Sequence, residues 1–146
     1  MYGSNELLEK FRKIVRSISS EDYRRAAANR LIWMLEFLNQ IKNAYLEIDI
    51  YSAITSSLYL RNAAGEFVAL LNKSHYRSHV FRSLKEVRKF KKLPERFIEL
   101  MITLGTSNNL ERLYRSAIEL WKDCLQIAKA NNISLQAYSS YNEIKL

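Results

Sequence analysis

Residues 19–46 read SSEDYRRAAANRLIWMLEFLNQIKNAYL. Apolar side chains recur there at Tyr23, Ala27, Leu31, Met34, Leu38, Ile41 and Tyr45, in steps of three and four. That rhythm predicts one buried stripe on a long α-helix. Ser19 and Asp22 have the spacing of a capping box, in which a hydroxyl and a carboxylate three residues on satisfy free backbone N–H groups.

The same period continues in both directions. Before it, Leu7, Leu8, Phe11, Ile14, Val15 and Ile18 predict a first helix, with Ser4 as its cap. After it, Asp49 is placed to cap a third helix carrying Ile50, Ile54, Leu58, Phe67, Val68 and Leu71. A fourth is expected from about Tyr76 to Phe90, with Val80, Leu84 and Val87 inward. Leu93-Pro94 breaks the pattern, because Pro disfavours helical geometry in the residue before it. Pro94 then suits the first turn of a fifth helix with Phe97, Ile98, Met101 and Ile102. Gly105 is expected to end that helix in the left-handed conformation. Asn108 and Glu111 predict the cap of a sixth, which carries Leu110, Leu113, Ala117, Leu120, Trp121, Cys124 and Ala128.

The fold class expected is therefore all-α, a single-domain bundle of about six helices. Residues 1–131 form the bundle, and residues 132–146 a C-terminal tail that is either a short helix capped by Ser134 or disordered. The length of 146 residues suits one domain. Three Gly and one Pro are too few for most all-β chains. One cysteine, Cys124, excludes an intramolecular disulfide and a Cys-based zinc site. No apolar run approaches a membrane span and no targeting segment is visible, so a cytoplasmic protein without membrane association is expected.

The formal charge is +8, and it is local. Residues 75–96 hold eight basic side chains (Arg77, Arg82, Lys85, Arg88, Lys89, Lys91, Lys92, Arg96) against Glu86 and Glu95. On a continuous helix Arg82, Lys85, Lys89 and Lys92 fall on one ridge opposite Val80, Leu84 and Val87. Such a ridge can track a phosphate backbone. Tyr59, Tyr76, Tyr138 and Tyr141 stand beside basic or polar residues; exposed rings can stack on unpaired bases, but each of these reads first as a half-buried ring with its hydroxyl at the surface.

Catalytic chemistry is not legible. His75 and His79 share a helix face, but Tyr76 stands where a zinc-protease helix needs Glu. Neither His has the upstream arginine of helical HEPN-class RNases. The three glycines are isolated, so no phosphate-cradling loop is present. Cys124 lies among Leu120, Trp121 and Ala128 and reads as core. No enzyme activity, cofactor or metal site is expected.

The segment Tyr51 to Ser74, YSAITSSLYLRNAAGEFVALLNKS, resembles the central helix of the small α-helical subunit of Cmr complexes, the type III-B CRISPR effectors of antiviral defence. Tyr51, Asn62, Gly65, Phe67 to Leu71 and Lys73 carry that likeness. Arg25-Ala26, the run Tyr114 to Glu119, Trp121 and Ile127 to Ala130 extend it. The resemblance implies a noncatalytic RNA-binding and scaffolding subunit of a ribonucleoprotein complex. It would contact guide and target strands through their backbones, join other effector subunits and self-associate into a short filament. It adds Arg61, Lys73 and Arg25 to the ridge as nucleic-acid-binding residues. Two alternatives stand beside it: a helical protein-interaction adaptor with an acidic partner, and a helical DNA-binding regulator.

Overall fold

The computed structural model describes residues 5–74, 76 and 83–135. These residues form six helices: α1 (Asn5–Ser17), α2 (Ser20–Leu46), α3 (Ile50–Leu71), α4 (Ser83–Val87), α5 (Phe97–Thr106) and α6 (Leu110–Ala130). Among the described residues there is no strand, and the chain is an all-helical bundle.

Helix α2 starts where the capping box places it. Ser19 Oγ accepts from Asp22 N–H at 3.1 Å, and the Asp22 carboxylate accepts from Ser19 N–H at 2.9 Å. The bonds hold the Asp22 carboxyl below its usual range. Asp49 caps α3 by accepting from Tyr51 and Ser52 N–H, both at 3.1 Å. A three-residue connection folds α3 back antiparallel on α2, and these two helices form the main pair of the bundle. Helix α6 lies against both, with Trp121 Nε1 donating to Leu31 O at 3.4 Å and Tyr45 stacked on Tyr114. Helix α5 packs on α3 and α6.

The α2 stripe from Ala27 to Ile41 is buried, with Tyr23 and Tyr45 half-buried at its ends. Phe67, Val68, Phe97, Met101, Leu113, Leu120 and Cys124 complete the core. Helix α3 buries the expected Phe67, Val68 and Leu71, but nearer its start a different set of residues is buried. Ile50, Ile54 and Leu58 are only half-buried, while Ala53, Ser56, Ser57, Ala63, Ala64 and Gly65 are buried. Small side chains let the helix axes come close, and Ser57 satisfies its buried hydroxyl on Ala53 O at 2.7 Å. In α1, Leu7 and Ile14 are exposed, as is Ile18 just beyond it, so these three do not form a buried stripe.

Several helix ends differ from expectation. Among the described residues helix α4 covers one turn, Ser83–Val87. Residues 77–82, and with them Arg82 and His79, lie outside the described residues, as do Ser4, His75, Tyr138 and Tyr141. After Val87 the chain tightens into three-residue turns, Lys89 N–H to Glu86 O and Phe90 N–H to Val87 O. Pro94 precedes α5 rather than opening it, with Phe97 N–H closing a turn on Pro94 O at 3.1 Å. Helix α6 is capped by Asn109, one residue later than expected, whose Oδ1 accepts from Arg112 N–H at 2.8 Å.

Gly105 does not end α5. It lies within the helix at negative φ, and Thr106 follows as its last residue. What position 105 needs is space, because a Cβ there would strike the guanidinium of Arg61. Gly65 likewise leaves room for the ring of Tyr76. Among the described residues the left-handed ones are Ile48, Lys73 and Asn132, at φ 57°, 49° and 57°. Each sits just past a helix end that closes with the same pair of bonds. At α2 these are Ile48 N–H to Tyr45 O and Asp49 N–H to Ala44 O. The pairs at α3 and α6 run from Lys73 and Ser74, and from Asn132 and Ile133. Glycine is the usual residue at that position, and here it is never glycine.

Candidate functional site

The ends of α3 and α6 and the start of α2 meet at one pole of the bundle. A cleft of about 210 Å³ opens there. Ala27, Leu70, Leu71 and Ile133 form its apolar part, and Ser20, Tyr23, Arg24, Lys73, Lys92 and Asn131 its polar wall. The two lysines arrive by different routes. Lys73 is carried by its left-handed backbone at the end of α3. Lys92 is set by Asn72, whose Oδ1 accepts from Lys91 and Lys92 N–H at 3.1 and 2.9 Å and whose Nδ2 donates to Lys92 O at 2.9 Å.

Both ammonium groups bond to neutral oxygens. Lys73 Nζ donates to Ser20 Oγ at 2.8 Å, and Lys92 Nζ to Asn131 Oδ1 at 2.9 Å. Among the described residues neither meets a carboxylate. The N-terminus of α2 adds partial positive charge beside them. Arg24 is held by Glu21 at 2.7 Å. The cleft can therefore take an anion-bearing group that also presents an apolar part.

The sequence-derived residues are only partly gathered. Lys73 and Lys92 come together in the cleft. Lys85 is exposed on α4, and Lys89 is exposed in the turn after it. The continuous ridge is not formed, because the helix that would align Lys85, Lys89 and Lys92 stops at Val87 and Asn72 captures the chain at 91–92. Arg96, counted in the basic run, is bound at home by Glu119 and Asp123 at 2.8 and 3.2 Å. Hydrogen bonding to Asp123 first, then the two carboxylate charges, raises its pKa further above the ordinary value.

Arg25 is exposed on the second turn of α2. Arg61 is half-buried under Gly105, and its Nε is buried without a hydrogen-bond partner. Burial lowers its pKa, opposed by the nearby Tyr76. Tyr59 stacks on Phe37 at 5.4 Å, so one ring face is already covered. Burial, and secondarily Asp123, pushes the Cys124 thiol well above its usual range, which makes it a poor nucleophile. The sequence marks none of Ser20, Tyr23 and Asn131 as a site residue, and Tyr23 reads there only as part of the α2 stripe. They reach the site through tertiary packing, which no local pattern displays.

Fold and site together define an all-helical domain with a cationic cleft at one pole. A family model described as the KNTase C-terminal domain matches residues 5–134. The chain belongs to that family, the helical C-terminal domain of kanamycin-nucleotidyltransferase-like proteins. No curated protein and no solved structure matches it.

The match overturns the CRISPR reading. The chain is not a Cmr small subunit, and the RNA-binding effector function inferred from that likeness falls with it. The acidic-partner adaptor and the DNA-binding regulator gain no support either. Single Tyr, Asn, Gly and Lys positions around an apolar run recur on amphipathic helices of unrelated bundles, and such positions carried the likeness. Among the described residues no helix is long and apolar enough to cross a membrane.

Proposed function

We propose that the chain acts as the helical domain of a nucleotidyltransferase, supplying binding surface to a partner domain that performs the transfer. The family match over residues 5–134 carries this reading. The placement of the carboxylates supports it. Nucleotidyl transfer commonly works through divalent ions held by clustered carboxylates. Asp22 and Asp49 cap helices, and Glu66, Glu119 and Asp123 hold arginines. The chain's part is then to shape and charge a surface, and the transfer chemistry belongs to the other domain.

The test is recovery of the tagged protein from its own host, followed by an assay with nucleoside triphosphates labelled at the α-phosphate. The recovered complex is expected to transfer label while the purified chain does not. Transfer by the chain alone, or recovery without any nucleotidyltransferase, overturns the proposal.

A further inference from the structure

The pole opposite the lysine cleft is built from the α2–α3 turn and the start of α6. Helix α2 spans 27 residues, so the two poles lie about 40 Å apart. Ile48 projects at the tip of this far pole, 81% exposed, between Leu46 and Tyr51 at 67% and 82%. Its backbone is left-handed, at φ 57°. A β-branched residue is a rare occupant of that region, where glycine or asparagine is at home. Exposure means that Ile48 contributes little to the core, so the stability of the isolated bundle does not explain an isoleucine there. Glu47 and Asp49 flank it. Asp49 is engaged as the α3 cap, while Glu47 makes no ion pair among the described residues.

The two poles are complementary. One presents an aliphatic knob between two carboxylates. The other presents an aliphatic cleft, with Leu70, Leu71, Ala27 and Ile133, beside two ammonium groups that meet no described carboxylate. A cavity of roughly 150 Å³ accommodates a benzene ring, so the cleft of about 210 Å³ has room for an isoleucine side chain. One molecule cannot join its own poles, because α2 separates them. A two-fold dimer through the knob would set Glu47 and Asp49 against their own copies.

We infer that the Glu47-Ile48-Asp49 tip of one copy docks in the Lys73–Lys92 cleft of a second copy. Ile48 enters the apolar part, and the Glu47 carboxylate meets the lysine pair, while Asp49 stays on its cap and adds negative charge beside it. The contact is heterologous and leaves each end of the pair open, so copies add head to tail. It is small, and therefore weak and concentration-dependent. It does not rest on the nucleotidyltransferase reading.

Sedimentation velocity of the full chain over a range of concentrations tests it. The wild type is expected to grow beyond dimers as concentration rises, and to do so less in high salt. Ile48→Gly and Lys92→Glu are each expected to weaken association about tenfold or more, equivalent to ~1.4 kcal/mol. Ile48→Gly should also melt higher than wild type, which shows that it folds. Mixed together, the two variants should form a one-to-one pair and stop there, because each retains one competent pole. A wild type that stays monomeric overturns the inference, as does association untouched by Ile48→Gly or a mixture that fails to pair.

Discussion

The side chain of Asn72 brackets the peptide of Lys92, accepting from its N–H and donating to its carbonyl, each at 2.9 Å. The same amide accepts from Lys91 N–H and donates to Val68 O at 2.7 Å. One residue thus ends α3, stops the chain after α4 and sets the position of a cleft lysine. Asn72→Ala removes four bonds at once. The expected loss is about 1–3 kcal/mol, read as a lower urea midpoint with an unchanged slope. Asn72→Asp keeps the acceptor and should fall between the two.

Gly105 and Arg61 form a testable couple. An alanine at position 105 gains about 1 kcal/mol of helix propensity, but its methyl group meets the guanidinium of Arg61. That group ends a long side chain and can swing aside. Gly105→Ala should therefore stabilise the Arg61→Ala protein by about 1 kcal/mol. In the wild-type background it should stabilise less, with a coupling of at least ~0.5 kcal/mol in a double-mutant cycle.

The three left-handed helix ends predict a ranking. A left-handed backbone costs an ordinary L-residue roughly 1–2 kcal/mol relative to glycine, and asparagine least. Thermal melts should show Ile48→Gly gaining most, Lys73→Gly next and Asn132→Gly least. At about 3 °C per kcal/mol for a chain of this size the first two are easily resolved.

Acid sensitivity follows from the caps. Hydrogen bonds from Ser19 hold the Asp22 carboxyl below its usual value of 3.8, and those from Ser52 do the same for Asp49. A lowered folded-state pKa means that the charged form stabilises the fold. That contribution is complete above the unfolded-state value and is lost as pH falls through the folded one. Urea midpoints should decline on the acid side of 3.8. Asp22→Asn should be less stable near neutrality and decline less steeply with acid.

Much of the fold was legible because its signals are local. Ser19 with Asp22, Asp49 and the α2 stripe each lie within a few residues of what they control, and all three hold in the structure. The fourth helix was misread because its end depends on Asn72, twenty positions from Lys92. The glycines misled in the same way. Gly105 serves a side chain on another helix, and the helices end at Ile48, Lys73 and Asn132, where glycine is expected and absent. For the site, Lys73 and Lys92 were named, but for a helical ridge and a family likeness that do not hold. Their proximity arises from three chain segments meeting, which no single stretch of sequence displays.

The small-residue seam of α3 has a kinetic consequence. Ala53, Ser57, Ala63 and Ala64 sit against neighbours on several sides, so α3 is walled in by α2, α5 and α6. No part of it can detach without releasing the others. Its amide protons should exchange with solvent only when the whole molecule opens, and their protection should report the global stability. The described turn of α4, which tightens after Val87 into three-residue turns, should exchange through small local openings long before that.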